Sequence, residues 1–550
     1  MLATTSRPVS TRRLGDAALR GIKKATAKDL SFLDWIREIK ITLRGIPFSF
    51  EGHEYLREPY TKHHDNEIYM KAAQVGISTR KLFKSLWLCD THHAKVIYYF
   101  PTDSEVSDFS NDRARPMIEE NEYLKSRVRG IDNVGLKQMG DSSIYFRGMF
   151  SRTRVKSVDA DYIILDELDE ADQENKEYAK DRILHSRLAW MSQLSQPSIP
   201  DFGIHQEFEE SDQRVWAIQC DKCNHWNFFN PNKPNEALEY TEKFLYQNTW
   251  HCTKCGRAFT EPLKQEWIPL MPSHKEKRGY HLTQLYSKII PISKILDAIQ
   301  KAKTRRILRA RLFNSILGIP YTDEIRQPVT DDIIQKSQGD YGFLPSAQMS
   351  YMGVDVGDML HVVIGQDFGK NVQIVHLEAT EDWGRLKTLM MEFGVWQCII
   401  DFMPYKPSAR NFAREFPERV VLQYFKNSRE EKGDEIEKKE EDELPVIRIG
   451  RTESLDDTTD QIRDGSFIFP NPSKLTIAQL VVYESFKDHL KKLIKDLKED
   501  DKGNRWFEYK FRVPNHFGMA LNSMRLAIAY NKLYGSRFYG AGIAYSKIKP

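Results

Sequence analysis

Four apolar residues ending in two adjacent acids, Tyr162-Ile163-Ile164-Leu165-Asp166-Glu167, constrain this chain more than any other stretch. A continuous apolar run of that length reads as a strand buried on both faces, the kind found in parallel sheets covered by helices. Such a strand delivers its terminal acids to the sheet edge where ligands bind. Upstream, Glu67-Ile68-Tyr69-Met70 reads as another strand, followed by Lys71-Ala72-Ala73-Gln74-Val75-Gly76-Ile77-Ser78-Thr79-Arg80-Lys81 and then by an apolar-periodic helix through Leu82, Leu86 and Trp87. Strand, loop and helix in that order suit a phosphate-binding loop, in which backbone N–H groups and a helix N-terminus converge on anionic oxygens and a hydroxyl reaches Mg²⁺. Gly76 takes the late glycine position, and Ser78 with Thr79 supplies the hydroxyl. Ile77 replaces the lysine expected after that glycine, but Lys71 stands at the loop's first position, from which a lysine reaches the β- and γ-phosphates. Asp166 is expected to hold Mg²⁺ and Glu167 to polarise an attacking water, as the chemistry of phosphoryl transfer requires. Asp169, Glu170 and Asp172 read as a solvated acidic face.

A chain of 550 residues exceeds one core and suggests roughly three folding units. From Pro47 to Phe202, β-branched runs such as Val96 to Phe100 alternate with helical patterns, and a second α/β pattern runs from Met352-Gly353-Val354-Asp355-Val356 to a helix at Ala520 to Tyr530. The expected divisions are an arm at 1–46, a phosphate-binding α/β domain at 47–275 with a Cys-rich ribbon at 216–262, a basic helical connector at 276–345, and a second α/β domain at 346–550. The arm carries an amphipathic run, Asp29 to Ile36, that could dock a partner, and the connector carries Lys301, Lys303, Arg305, Arg306, Arg309 and Arg311. Lys426 to Glu443 is nearly all charged and reads as a solvated loop or hairpin tip.

Charged residues make up 29% of the chain and hydrophobic ones 40%, and no run approaches the roughly 18 apolar residues of a membrane helix. A soluble protein without a membrane partner is expected, and the N-terminus lacks a secretory core. Its Arg- and Ser-rich opening also resembles a transit peptide, a reading outweighed by the phosphate-site and C-terminal acid signals. The net charge is only +3, so DNA binding would have to rest on local basic patches.

Of six cysteines, Cys89 and Cys398 sit alone in apolar segments and read as small buried hydrophobes. The other four form the pairs Cys220-Asp-Lys-Cys223 and Cys252-Thr-Lys-Cys255. Paired thiolates at two-residue spacing suit tetrahedral Zn²⁺ with no open position, hence a structural site. Lys222, Lys254 and Arg257 could touch DNA phosphates there, or simply be solvated.

In the C-terminal half, Asp355 lies mid-strand and Asp401 ends the apolar run Ile399-Ile400, followed by a helix-like Pro407 to Phe412. Buried carboxylates need partners or a metal. Two strand-borne aspartates could hold Mg²⁺ or Mn²⁺ for phosphodiester cleavage, an arrangement that resembles an RNase H-like nuclease.

Together these residues resemble the large terminase subunits of tailed bacteriophages, of the lambda GpA type. The likeness rests on Lys71 to Ser78, on Asp161-Tyr162 leading into Leu165-Asp166-Glu167, and on Ser195-Gln196-Pro197-Ser198 with Gly203-Ile204 and Ser211-Asp212-Gln213-Arg214, and it spans most of the chain. It implies a P-loop ATPase domain of the RecA-like ASCE class with a zinc-ribbon insertion, then an RNase H-like nuclease domain. It further implies ATP-driven translocation of viral DNA into a procapsid and metal-dependent cutting of concatemers in the host cytoplasm. The implied partners are double-stranded DNA, a small terminase subunit, the portal protein and further copies in a homo-oligomeric ring; the implied cofactors are ATP, Mg²⁺ or Mn²⁺, with Zn²⁺ in the ribbon. Lys71 to Ser78 would be a lysine-first Walker A loop, Asp166 and Glu167 the Walker B pair, and Ser195 to Ser198 a coupling segment sensing the γ-phosphate. Tyr55 or Tyr60 would contact adenine. Arg113 or Arg115 could supply an arginine finger to a neighbouring subunit, surface arginines being the plainer reading. Arg451-Thr452-Glu453 and Asp464-Gly465 belong to the same likeness. Where the family has a further acid near its last helix, this chain has Asn515-His516-Phe517. Asn is a poor ligand for a hard cation, and His516 would serve only a metal that tolerates nitrogen; Asp358 and Asp456 are weaker substitutes. Two rivals are a non-catalytic zinc-ribbon DNA-binding scaffold and a helicase-like P-loop ATPase without nuclease activity. Retention of Ser78, Asp166, Glu167, Asp355 and Asp401 disfavours the first, and the lack of a second phosphate loop the second.

Overall fold

The structure is a computed structural model that describes residues 30–534 apart from 262, 306–307, 324, 427–436, 442–443, 500–504 and 510–512. The chain divides into two compact units, Met1–Thr322 and Asp323–Pro550.

The first unit is built on seven parallel strands: β1 Asn66–Lys71, β2 Lys95–Phe100, β3 Ser142–Gly148, β4 Tyr162–Asp166, β5 Trp190–Ser195, β6 Arg214–Gln219 and β7 Arg278–Leu282. They lie in the order β6-β7-β1-β5-β4-β2-β3. Antiparallel strands extend both edges, Trp226–Phe228 and Lys264–Pro269 beside β6, Leu136–Met139 and Val128–Asn133 beyond β3. Alternate residues of the central strands feed two cores, Ile68, Met70, Ile163 and Leu165 on one face, Tyr69, Tyr98, Tyr162 and Ile164 on the other. The order places β5 between β1 and β4, so the ends of all three strands meet at one edge.

β7 is a correction to the expected divisions. It pairs with β1 along its whole length, so the first unit runs past 275 to Thr322 and no separate connector spans 276–345. Beyond β7 come the helix Ile292–Thr304 and a π-helical turn, Arg311–Leu317. This stretch braces the loop after β1: Ala72 donates its N–H to the Leu282 carbonyl (2.6 Å) and Ala73 to that of Ser315 (2.8 Å). Gly318 has φ +70°, and a Cβ there would lie 2.8 Å from the Ala72 nitrogen, so this close approach requires glycine.

Helix α1, Phe32–Glu38, begins after the Ser31 cap and buries Phe32, Leu33, Trp35 and Ile36 in the first unit. Trp35 donates its indole N–H to Asp90 (3.0 Å). The described apolar side chains of the expected docking run, Phe32, Leu33 and Ile36, are therefore committed to this core; residues 1–29 lie outside the described residues. Helix α2, Ile77–His92, carries Arg80, Lys81 and Lys84, all three buried against Glu67 of β1. Burial opposes ionisation of Glu67, yet the three cations outweigh it and hold the carboxyl well below its usual range. Breaking such a buried network costs about 3–5 kcal/mol, so β1 and α2, which flank the loop, are tied together.

The second unit carries β8 Ser350–Val356, β9 Leu360–Asp367, β10 Val372–Thr380, β11 Val395–Asp401, β12 Val420–Phe425 and β13 Leu444–Ile449. Their order is β13-β12-β11-β8-β9-β10, antiparallel within β8-β9-β10 and parallel from β8 through β13. Strand Glu437–Glu441 pairs antiparallel with β13, giving the hairpin expected within the charged run, whose residues 427–436 and 442–443 lie outside the described residues. Helices α3, Ile477–Lys491, and α4, His516–Tyr534, pack on one face of this sheet. Gly353 on β8 lies so close beneath α4 that a Cβ would sit 2.0 Å from the Ala520 carbonyl oxygen. Among the described residues no helix is long and apolar enough to cross a membrane.

Candidate functional site

In the first unit, Lys71 ends β1, Ser195 ends β5, and Asp166 ends β4 with Glu167 directly after it. Lys71 Nζ lies 2.8 Å from Glu167 Oε1 and 3.9 Å from Asp166 Oδ1. Burial alone would lower the Lys71 pKa, but the two carboxylates outweigh it and hold the ammonium above its ordinary value. Burial raises Asp166, with Lys71 and, more weakly, Ser78 opposing; Tyr98 donates its hydroxyl to Asp166 Oδ2 (2.8 Å). Glu167 is held below its usual range because Lys71 and the Gln196 N–H outweigh burial. Its φ of +50°, strained for a residue with a Cβ, turns it back towards Ser195 and Gln196. Gly76, at φ +85°, precedes the first turn of α2, where Ser78 and Thr79 are half-buried.

Asp169 is a correction, since the structure buries it rather than leaving it on a solvated face. It accepts hydrogen bonds from Ser198 N and Oγ (both 2.7 Å) and Ile204 N (2.8 Å), tying the acids after β4 to the segment after β5. A Cβ on Gly203 would strike the Asp169 carboxylate at 2.4 Å. Tyr60 is 3% exposed and stacked on Phe32 at 5.2 Å among Phe48 and Phe50. Tyr55, equally buried, is the one that touches the loop, its hydroxyl 3.4 Å from the Val75 carbonyl. Arg113 lies in the π-helical turn Ser110–Ala114, near enough for its charge to act on Lys71 and Tyr98 of its own chain. Arg115 pairs with Glu119 at 2.8 Å.

The four cysteines converge, with Sγ atoms within 4.8 Å of one another. Cys220 and Cys255 are 3.8 Å apart and Cys223 and Cys252 3.6 Å, against about 3.8 Å for the edge of a tetrahedron with Zn–S bonds of ~2.3 Å. The donor set and spacing thus fit Zn²⁺. Each knuckle closes through a left-handed residue after its second cysteine, Asn224 (φ +55°) and Gly256 (φ +70°). Arg257 is engaged with Asp221 of the opposite knuckle at 3.0 Å; Lys222 and Lys254 are exposed.

In the second unit, Asp355 on β8 and Asp401 at the end of β11 lie on neighbouring parallel strands, each one residue beyond the Val354–Ile400 pair. Desolvation and the Asp355 carboxylate push Asp401 well above the usual range. His516, in the first turn of α4, places Nδ1 2.8 Å from Asp355 Oδ2. His361 was not singled out from sequence, yet it stands directly opposite Asp355 in the β8-β9 register, and counting back from the Gly357-Asp358-Met359 turn would have found it. One ligand atom each from Asp355, His361 and His516 lies within 4.8 Å of the others. Asn515 is buried. Asp358 is exposed and accepts from Tyr405, while Asp456 is engaged by Lys495 and Tyr509, so neither joins this group.

Residues 44–271 match the family model described as phage terminase large subunit gpA, ATPase domain. No curated protein matches the chain. Similar solved structures include the large terminase of HK97 bacteriophage, 8% identical with a TM-score of 0.48 over 90% of this chain and 98% of that one. A large terminase from a thermophilic bacteriophage, in complex with ADP, is 11% identical with a TM-score of 0.31, over 88% and 98%. The large terminase nuclease from thermophilic phage G20c with bound magnesium is 14% identical with a TM-score of 0.21, over 34% and 83%.

Proposed function

We propose, from the match of residues 44–271 to the family model of the phage terminase large subunit ATPase domain, that this chain is a DNA-packaging motor that hydrolyses ATP in its first unit and cuts DNA in its second. The observation that carries the reading is the convergence of Lys71, Ser78, Asp166, Glu167 and Ser195 at one sheet edge. A strand inserted between the phosphate-loop strand and the acid-bearing strand is the order of an ASCE ATPase, and the second unit's order suits an RNase H-like fold.

In this reading Lys71 leaves Glu167 for the β- and γ-phosphates when ATP enters. Glu167, thereby released, accepts the proton of the attacking water, and Ser195 reports the phosphate to the segment that Asp169 anchors. Ser78 and Asp166 would hold the Mg²⁺ that neutralises phosphate charge. Asp355, Asp401 and His516 would hold the second unit's metal, which when bound supplies an activated water and offsets charge on the leaving oxygen. Double-stranded DNA, a small terminase subunit, a portal protein and other copies of the chain in a ring are the partners this work would need, in the host cytoplasm.

Incubating the purified full chain with ATP and linear duplex DNA tests the reading. Hydrolysis together with divalent-metal-dependent strand cleavage is expected. Hydrolysis with unwinding and no cleavage would point to a helicase instead, and neither activity to a scaffold. The ribbon has its own expected result: freshly purified protein should carry one zinc per chain by elemental analysis, and Cys252→Ser should loosen the region locally without creating or abolishing cleavage. Zinc-free protein from a chelator-free preparation would remove the ribbon.

A further inference from the structure

We propose that the acidic edge of the second unit is a mixed imidazole and carboxylate centre in which Asp355, His361 and His516 hold one divalent transition metal in preference to Mg²⁺. The inference deepens the nuclease reading, resting on it for the use of the metal but not for its binding. Three elements bring the donors together: β8 supplies Asp355, β9 supplies His361 across the hairpin, and the start of α4 supplies His516. The two imidazole rings stack at 4.8 Å between centroids with an interplanar angle of 14°, and one ligand atom from each lies within 4.8 Å of the Asp355 carboxylate. The 2.8 Å separation of His516 Nδ1 and Asp355 Oδ2 matches the edge of about 2.8–3.0 Å between neighbouring ligands of a six-coordinate ion at bond lengths of about 2.0–2.1 Å. His489 of α3 packs its ring 5.4 Å from that of His361 and 5.6 Å from that of His516, and its Nδ1 accepts the Phe517 N–H, fixing the turn that carries His516.

The chemistry of the donors sets the preference. Mg²⁺ dehydrates reluctantly and takes oxygen ligands, whereas imidazole suits zinc, iron, cobalt and nickel. The three clustered donors are one carboxylate and two imidazoles, a set poorer in hard oxygen than Mg²⁺ takes. The competing account makes His516 only a hydrogen-bonding partner that orients Asp355 in an all-oxygen site.

Cobalt separates the two. Co²⁺ is titrated into the zinc-loaded full chain and followed by visible d–d absorption; lack of a near-ultraviolet sulfur-to-cobalt band shows that the cysteines keep their zinc. One Co²⁺ per chain is expected, not displaced by about a hundredfold excess of Mg²⁺. His361→Gln and His516→Gln should each weaken binding about tenfold or more, by analogy with the 10–100-fold cost of disturbing a metal site's supporting shell. Far-UV circular dichroism and retained ATP hydrolysis verify that these variants are folded. Folded variants that bind Co²⁺ like the parent, or full displacement by equimolar Mg²⁺, would overturn the centre. Mg²⁺-supported cleavage at the parent's level in His361→Gln would overturn it too while leaving the nuclease intact; Co²⁺ bound in the expected way without cleavage in any metal would sink the nuclease reading and uphold the centre.

Discussion

Glu167→Gln is expected to lower ATP turnover on the order of 10²- to 10⁴-fold, the range a positioned general base contributes, while leaving nucleotide binding within a few-fold of the parent. The carboxylate sits 2.8 Å from Lys71 and pairs with no other cation among the described residues, so the amide removes proton acceptance without removing the lysine that meets the phosphates. Lys71→Ala should behave differently, weakening binding as well as turnover, because a charged contact to the phosphates is lost in both the ground and transition states. Steady-state kinetics with a fluorescent nucleotide titration check both variants. Turnover in Glu167→Gln within threefold of the parent would show that another group takes the proton.

Asp355→Ala is expected to abolish DNA cleavage in every divalent metal and to leave ATP hydrolysis at the parent's rate. Asp355 neighbours both Asp401 and His516, so its removal takes away the one carboxylate that links the other donors of the edge. The ATPase groups belong to the other unit. Gel assays of nicked and linear products, run beside phosphate release, read the two activities from one sample. Cleavage that survives in Asp355→Ala would move the chemistry elsewhere in the chain.

The parts of both sites that are local in sequence could be read from it. Strand, loop and helix around Lys71 to Ser78, and the apolar run ending in Asp166-Glu167, announce themselves within a few residues, and the structure brings their side chains into contact. What escaped reading depends on distant partners. β7, Arg278-Gly279-Tyr280-His281-Leu282, is short, opens on a charge and contains glycine; only β1 and β6 on either side make it a central strand. Asp169 lies among other acids that resemble a solvated helix face, but backbone N–H groups from Ser198 and Ile204 satisfy it in the interior. Tyr55 and Tyr60 are five positions apart in one aromatic-rich stretch, and packing against Phe32, Phe48 and Phe50 settles Tyr60 as core. His361 needed a hairpin register, and His516 a helix laid across that hairpin.

That crossing depends on Gly353. The backbone of α4 rests on the bare α-carbon of a strand residue two places before Asp355, with no space for a methyl group between them. Any side chain at 353 would have to lift the helix, and its first turn would carry His516 away from Asp355 while each donor remained in the sequence. The donors' spacing is thus calibrated from below, by a residue that touches none of them. A survey of substitutions confined to the lining of this edge would overlook the position that sets its dimensions.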